Sequence, residues 1–350
     1  MQEVLLLATG ILTAVFVGVN VGGSSTGVCF GPAVGSDLIG MRLASALMAV
    51  VAFVGGVAVG PNVVDTMGRD LVPPSQFTLV ASTAILLFTG IGLTMSNYLR
   101  ISASTSQIAV VAIVGMGVAL GSLDWGVFGV ILTWWIVSAI IAFWLCVVIG
   151  RYLYDDFVSL LDLERRGARV ARVFVVLVGC YMAFSAGASN VANAVAPLVG
   201  SDALGMYEGV VLAGLAIAVG AFLIGPRTME TIGNRITDMT LEAAMIVELI
   251  SATIITMLSL AGVPASLAIV ATTAVIGLGW GRATRRVTLK RDVALGELPD
   301  ADRRRMHQDR LKLYKLDTSR RIVATWIMAP IVAGLLAYGS FALAVRAGLM

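Results

Sequence analysis

The 350-residue chain is 58% hydrophobic and 13% charged, with a mean hydropathy of +0.94 and a formal net charge of +3. Soluble domains carry about 25% charged residues, so composition argues against a water-soluble domain and places the chain in lipid. Cys29, Cys146 and Cys180 stand far apart in apolar segments with no CxxC spacing. They read as small buried hydrophobes rather than as metal ligands or a disulfide framework.

In chain order, Met1-Gln2-Glu3 supplies no basic leader and the first apolar stretch lacks an A-x-A site, so no cleavable secretory signal is expected. Apolar runs of spanning length fall at 3–20, 40–60, 76–97, 103–121 and 125–150. A mixed linker at 151–169 follows. A second set of runs lies at 170–186, 204–224, 242–260, 264–281 and 322–346. Between its last two members, residues 282–321 hold thirteen of the 24 lysines and arginines against six acids, together with the sole histidine, His307. That position removes His-based metal sites within the membrane. The positive-inside rule makes this loop cytoplasmic, a better reading than nucleic-acid binding. Its stretch from Arg303 to Tyr314 suits an amphipathic helix on anionic lipid.

The chain also repeats itself. Gly31-Pro32-Ala33-Val34-Gly35-Ser36-Asp37 returns as Ala196-Pro197-Leu198-Val199-Gly200-Ser201-Asp202, 165 residues later. At the same offset Gly55 meets Gly220, and Gly60-Pro61 meets Gly225-Pro226. Duplication over this length in an apolar chain is the mark of a secondary transporter with two pseudo-symmetric halves. Counting spans outward from the basic loop gives five crossings per half, and an odd count inverts the second half. The expected fold is therefore an all-α integral membrane protein. It has a first repeat at 1–150, a cytoplasmic linker at 151–169 and a second repeat at 170–350, with both termini extracytoplasmic. The count requires the Gly-rich segments 22–35 and 187–200 to be re-entrant or broken helices.

Those two segments are the first site candidates. Gly22-Gly23-Ser24-Ser25-Thr26-Gly27-Val28-Cys29 superposes on Gly187-Ala188-Ser189-Asn190-Val191-Ala192-Asn193-Ala194, setting Ser25 on Asn190. Two helix breaks meeting at mid-membrane would aim N–H groups and partial positive charge at one point, which suits an anion. Close helix packing through small residues is the alternative. Downstream, Ser102-Ala103-Ser104-Thr105-Ser106-Gln107 precedes one apolar run and Pro264-Ala265-Ser266 another. A helix cap explains Ser266, whereas the polar run Ser104, Thr105, Ser106 and Gln107 exceeds what capping needs. Glu248, about six residues inside a span, is a candidate proton- or cation-coupling group. Pairing with a base or snorkelling to the interface is the alternative, and Glu208 and Glu242 read as interfacial.

This pattern resembles the inorganic phosphate transporter family, whose two inverted halves each carry a G-A-N-D-[V/I]-A-N-A-like motif and a P-V-S-T-T-H-like motif. Gly187 to Ala194 fits the first well and Gly22 to Cys29 loosely. Ser102 to Gln107 fits the second, with Gln107 at the histidine position, while Pro264-Ala265-Ser266 keeps only its beginning. The resemblance implies a substrate site formed by Ser24, Ser25, Thr26, Ser104, Thr105, Ser106, Gln107, Ser189, Asn190, Asn193 and Ser266. It further implies an inorganic anion as partner, phosphate or sulfate, and H+ or Na+ as coupling ion, with no other cofactor. The family's motif Asp is replaced by Ser25 and Asn190. Neutral donors suit sulfate, which carries no proton, whereas hydrogen phosphate gains from a buried acceptor.

Three other readings stay open. A passive channel or a transporter of another solute would use the same dipoles and hydroxyls. Gly23-Ser24-Ser25-Thr26-Gly27 matches the form of a nucleophile elbow, but that needs a strand-to-helix turn and a base. The oligomeric state is open, a homo-oligomer included.

Overall fold

A computed structural model describes residues 2–98, 104–161, 168–233, 240–293 and 316–348. Every regular element among them is helical. We number the α-helices α1 (Gln2–Gly35), α2 (Met41–Asp65), α3 (Leu79–Tyr98), α4 (Thr105–Ala119), α5 (Trp125–Val148) and α6 (Tyr154–Leu161). The second half supplies α7 (Ala168–Gly200), α8 (Met206–Leu223), α9 (Gly225–Gly233), α10 (Leu241–Leu260), α11 (Leu267–Val293) and α12 (Leu316–Arg346). Among the described residues, nine helical stretches are long and apolar enough to cross a bilayer. The protein is an integral, multi-pass membrane protein. Helix α4 is apolar but shorter: fifteen residues reach only about 22 Å, short of a hydrocarbon core of about 30 Å.

The duplication is visible in local geometry. Asp37 and Asp202, 165 residues apart, both take left-handed backbone angles, φ 56° and 55°. In each, the chain closes the preceding helix the same way: Leu38 N donates to Ala33 O and Ala203 N to Leu198 O, both at 3.1 Å. Such a cap satisfies carbonyls that a helix end would otherwise leave bare. Thr78 and Thr240 each accept from the amide three residues on, at 3.2 and 3.4 Å, and cap α3 and α10. Ser104 and Ser266 do the same for α4 and α11.

Packing repeats too. Helix α1 lies on α8 and α9, and its counterpart α7 lies on α2. Gly22 abuts the Ile217 carbonyl, and Gly187 abuts the carbonyl of Ala52, the residue equivalent to Ile217. A Cβ at either glycine would occupy the carbonyl's place. The fifth helices trade partners: α5 packs on α11, while α12 packs on α4 and α3. Each half is therefore closed by the last helix of the other.

The structure corrects the expected breaks. Segments 22–35 and 187–200 are neither re-entrant nor broken, because α1 and α7 run through them unbroken. The glycines serve close approach, and the hydroxyls bond back into their own helix rather than opening it. Ser24 Oγ donates to Val21 O at 3.0 Å and Thr26 Oγ1 to Gly22 O at 2.7 Å. The break falls instead in the second half, where Gly225-Pro226 opens α9 after Ile224. Its equivalent Gly60-Pro61 stays inside α2. Thr228, which donates to Gly23 O at 2.7 Å, holds α9 against α1, and Val63 stands at the matching place in α2.

The linker 151–169 is partly helical, through α6, and 162–167 lie outside the described residues. The basic loop called at 282–321 is narrower than expected, since α11 continues to Val293 and α12 starts at Leu316. Its centre, including His307 and the Arg303–Tyr314 stretch, lies outside the described residues, as do Arg100 and Ser102. Tyr154 hydroxyl meets Thr240 Oγ1 at 2.7 Å, and the Arg282 guanidinium stacks 4.3 Å over the Tyr154 ring. The linker, the start of α10 and residue 282 thus share one end of the bundle.

Candidate functional site

Helices α1 and α7 cross antiparallel, with Ser25 beside Asn190 and Cys29 and Phe30 beside Gly179. Asn190 Nδ2 donates to Ser25 Oγ at 3.1 Å. These two residues are each other's counterparts in the repeat, and counterparts touch only where a local two-fold axis passes between them. The sequence duplication therefore converges on this pair.

Helix α4 delivers the third wall. Capped by Ser104, its first turn points at α7. Thr105 Oγ1 and Ser106 Oγ donate to Asn190 Oδ1 at 3.0 and 3.4 Å. Asn193, one turn beyond Asn190, donates through Nδ2 to Asn190 Oδ1 at 3.1 Å, Ser106 Oγ at 3.3 Å and Thr105 Oγ1 at 3.4 Å. Rotating the Asn193 amide would set two carbonyl oxygens against each other, so the network defines its orientation. All five side chains are buried. Buried hydroxyls and amides of this kind are stable only when bonded, and here they bond largely to one another.

The cluster is neutral and rich in donors. A second hydrogen on the Asn190 amide and the Ser25 hydroxyl remain to be placed, and the first-turn N–H groups of α4 carry its partial positive charge. Two buried carbonyl oxygens, Asn193 Oδ1 and Gln107 Oε1, have no hydrogen-bond partner among the described residues. Among those residues no group of three or more His, Cys, Asp or Glu is placed to hold a metal.

The structure divides the candidate residues. Ser25, Thr105, Ser106, Asn190 and Asn193 come together. Ser24 and Thr26 are spent on their own helix. Ser104 and Ser266 cap α4 and α11, and Ser189 Oγ donates to Ala265 O at 3.1 Å, away from the cluster. After Ser266 the chain continues with buried Leu267 and Ala268 where the first half has Thr105 and Ser106, so α11 adds no hydroxyls. Glu248 sits apart on α10, buried, its Oε1 without a partner among the described residues.

Sequence reasoning missed three supporting contacts. Asn20 Oδ1 accepts from Thr94 at 3.3 Å and Asn97 at 3.0 Å, one turn from Ser24. At the equivalent place Ser185 Oγ meets Thr256 Oγ1 at 2.7 Å. Trp135 Nε1 donates to Pro264 O at 2.8 Å. It thereby pins, from α5, the buried turn that Ser189 holds from α7. A polar residue deep in an apolar span was a readable signal for Asn20. Nothing local marks Trp135.

The model of the phosphate transporter family matches residues 21–337. The chain belongs to that family. The sulfate permease CysP of Bacillus subtilis is 31% identical over 273 residues, 78% of this chain and 77% of the relative. A provisionally named phosphate permease of Chlamydia pneumoniae is 23% identical over 394 residues, covering 81% and 92%. A solved sodium-dependent phosphate transporter superposes with a TM-score of 0.76 over 97% of this chain and 99% of its own, at 18% identity. That likeness shows a shared fold. The family is one of transporters rather than enzymes, and in this member residues 23–27 lie inside α1, where a nucleophile elbow cannot form.

Proposed function

We propose that this protein is a secondary active transporter of an inorganic tetrahedral oxyanion, working by alternating access between halves of inverted topology. The observation that carries this reading is the meeting of Ser25 with its own counterpart Asn190, closed over by the start of α4. A site on the local axis belongs to both halves, so rocking one against the other would expose it to each side in turn. Asn190, Asn193, Ser25, Thr105 and Ser106 would donate to the anion, with Ser24, Thr26, Ser104, Ser189 and Ser266 holding the backbone around them.

Sulfate is the preferred substrate, because a neutral donor cluster without a carboxylate accepts a dianion without repulsion, and a related protein bears the name sulfate permease. Phosphate is the second reading. Asn193 Oδ1 and Gln107 Oε1 are buried acceptors lacking a donor, and the hydroxyl of a hydrogen phosphate would supply one. Glu248 is the coupling group in this reading, and a proton its ion.

Uptake of radiolabelled sulfate and phosphate into proteoliposomes, under separate proton and sodium gradients, tests all of this. We expect proton-driven accumulation of sulfate. Sodium-driven phosphate accumulation would replace both the substrate and the ion assigned. Equilibration without accumulation would mean a passive channel.

A further inference from the structure

The oxyanion site leaves unexplained a row of buried polar groups on α10. Glu248 is 5% exposed, and Ser251 and Ser259 are fully buried. Each has a side-chain oxygen with no hydrogen-bond partner among the described residues. A serine hydroxyl in a helix can always donate to the carbonyl one turn back. Thr253, on the outer side of α10, does so to Leu249 O at 2.8 Å. Ser251 and Ser259 do not. Positions 248, 251 and 259, with Ile255 between, fall on one helical face and span about 16 Å along the axis. Unpaired buried polar groups lower stability, and three on one face of an apolar helix bring no packing gain that a residue such as Ala or Leu would not.

The row leads somewhere. Its far end, Ser259, immediately precedes the buried turn whose Ala265 carbonyl takes the Ser189 hydroxyl, next to Asn190. Its near end, Glu248, is buried on α10, which packs against α1 and α7, the helices that carry Cys29, one turn past Ser25, and Cys180. Of the other titratable groups on the elements packed against α10, Tyr181 on α7 donates to Thr253 Oγ1 at 3.4 Å on its outer side. Glu3 on α1, Arg42 and Asp65 on α2, Cys146 on α5, Arg169 and Arg172 on α7 and Arg282 on α11 stand toward the ends of α10 or of their own helices. In the first half, Leu86 replaces Glu248 and Asn97, bonded to Asn20, replaces Ser259, although Thr89 matches Ser251. The row is complete on α10 alone.

We propose that this face of α10 is a hydrated proton path, with Glu248 as the proton-carrying group and Ser251 and Ser259 lining the way to the oxyanion site. The inference rests on the proton-coupled reading given above. Glu248 carboxylate takes a proton from water on one side, forming a neutral O–H. In the opposite-facing state that O–H breaks and the proton leaves to water on the other side, so one proton moves with each anion. No other bond changes.

Two measurements test it. Glu248→Gln should reduce proton-driven accumulation of radiolabelled sulfate at least tenfold while leaving sulfate exchange across the vesicle at equilibrium unchanged. Undiminished accumulation, or loss of exchange in step with accumulation, overturns the role of Glu248. In a background with Cys29, Cys146 and Cys180 replaced by Ala, Ser251→Cys and Ser259→Cys should react with a cationic, water-soluble methanethiosulfonate. Leu249→Cys, on the exposed face of α10, should not. Unreactive cysteines at 251 and 259 overturn the path. This labelling needs no transport, so absence of any oxyanion uptake by the parent protein would strike the transport reading separately.

Discussion

Asn190 carries more of the site than any other side chain. Its carbonyl gathers Thr105, Ser106 and Asn193, and its amide reaches Ser25. Asn190→Asp keeps the shape but exchanges two donor hydrogens for a negative charge. We expect it to lower sulfate uptake at limiting concentration by roughly tenfold or more, equivalent to about 1.4 kcal/mol, and to affect phosphate less. Initial rates for both anions check this, and an unchanged sulfate rate would remove Asn190 from the site. Repetition made Ser25 and Asn190 legible as a pair. That Ser24, Thr26 and Ser189 bond to backbone was not legible, because a hydroxyl chooses between its own helix and a neighbour by which neighbour arrives. Trp135 was invisible for the same reason, its acceptor lying 129 residues away.

Between elements, the duplicated glycines decide how closely the helices cross. Gly22→Ala or Gly187→Ala sets a methyl where a backbone carbonyl stands, and neither helix can yield without moving the site. Such overpacking costs about 1–3 kcal/mol, read as a lower midpoint of thermal unfolding in detergent. Gly129→Ala, a helical glycine with open space around it, is the matched control and should gain up to about 1 kcal/mol from helix propensity. Equal effects at 129 and 187 would mean that the crossing tolerates separation. Trp135→Phe leaves Pro264 O without its donor in a buried turn, a loss of about 1–3 kcal/mol in the same assay. Non-helical backbone inside a membrane protein needs such partners, so a neutral result would show that this turn finds another.

For the whole molecule, the exchange of fifth helices makes the halves interdependent. Helix α5 covers α11, and α12 covers α4, the element that closes the site. Splitting the chain within 162–167 should therefore give fragments that take up no sulfate singly but recover uptake when co-expressed. Uptake by the second fragment alone would contradict a site that needs α1 and α4. One difference between the halves, the break at Ile224 against the continuous helix at Gly60, lies beside Gly23 and Thr26. A difference between equivalent positions is what two halves in alternate conformations would display.

Membrane residence, the all-helical class, the duplication and the pairing of position 25 with position 190 follow from the sequence itself. Hydropathy and repetition are properties of the chain read locally, and the 165-residue offset by itself sets position 25 on position 190. Tertiary structure alone decided that α1 and α7 stay continuous, that the break lies at Ile224, and that the start of α4 rather than α11 completes the cluster. Glycine permits both a broken helix and a tight crossing, and a buried hydroxyl permits both a cap and a ligand. Only the position of the helix packed against each one selects between them.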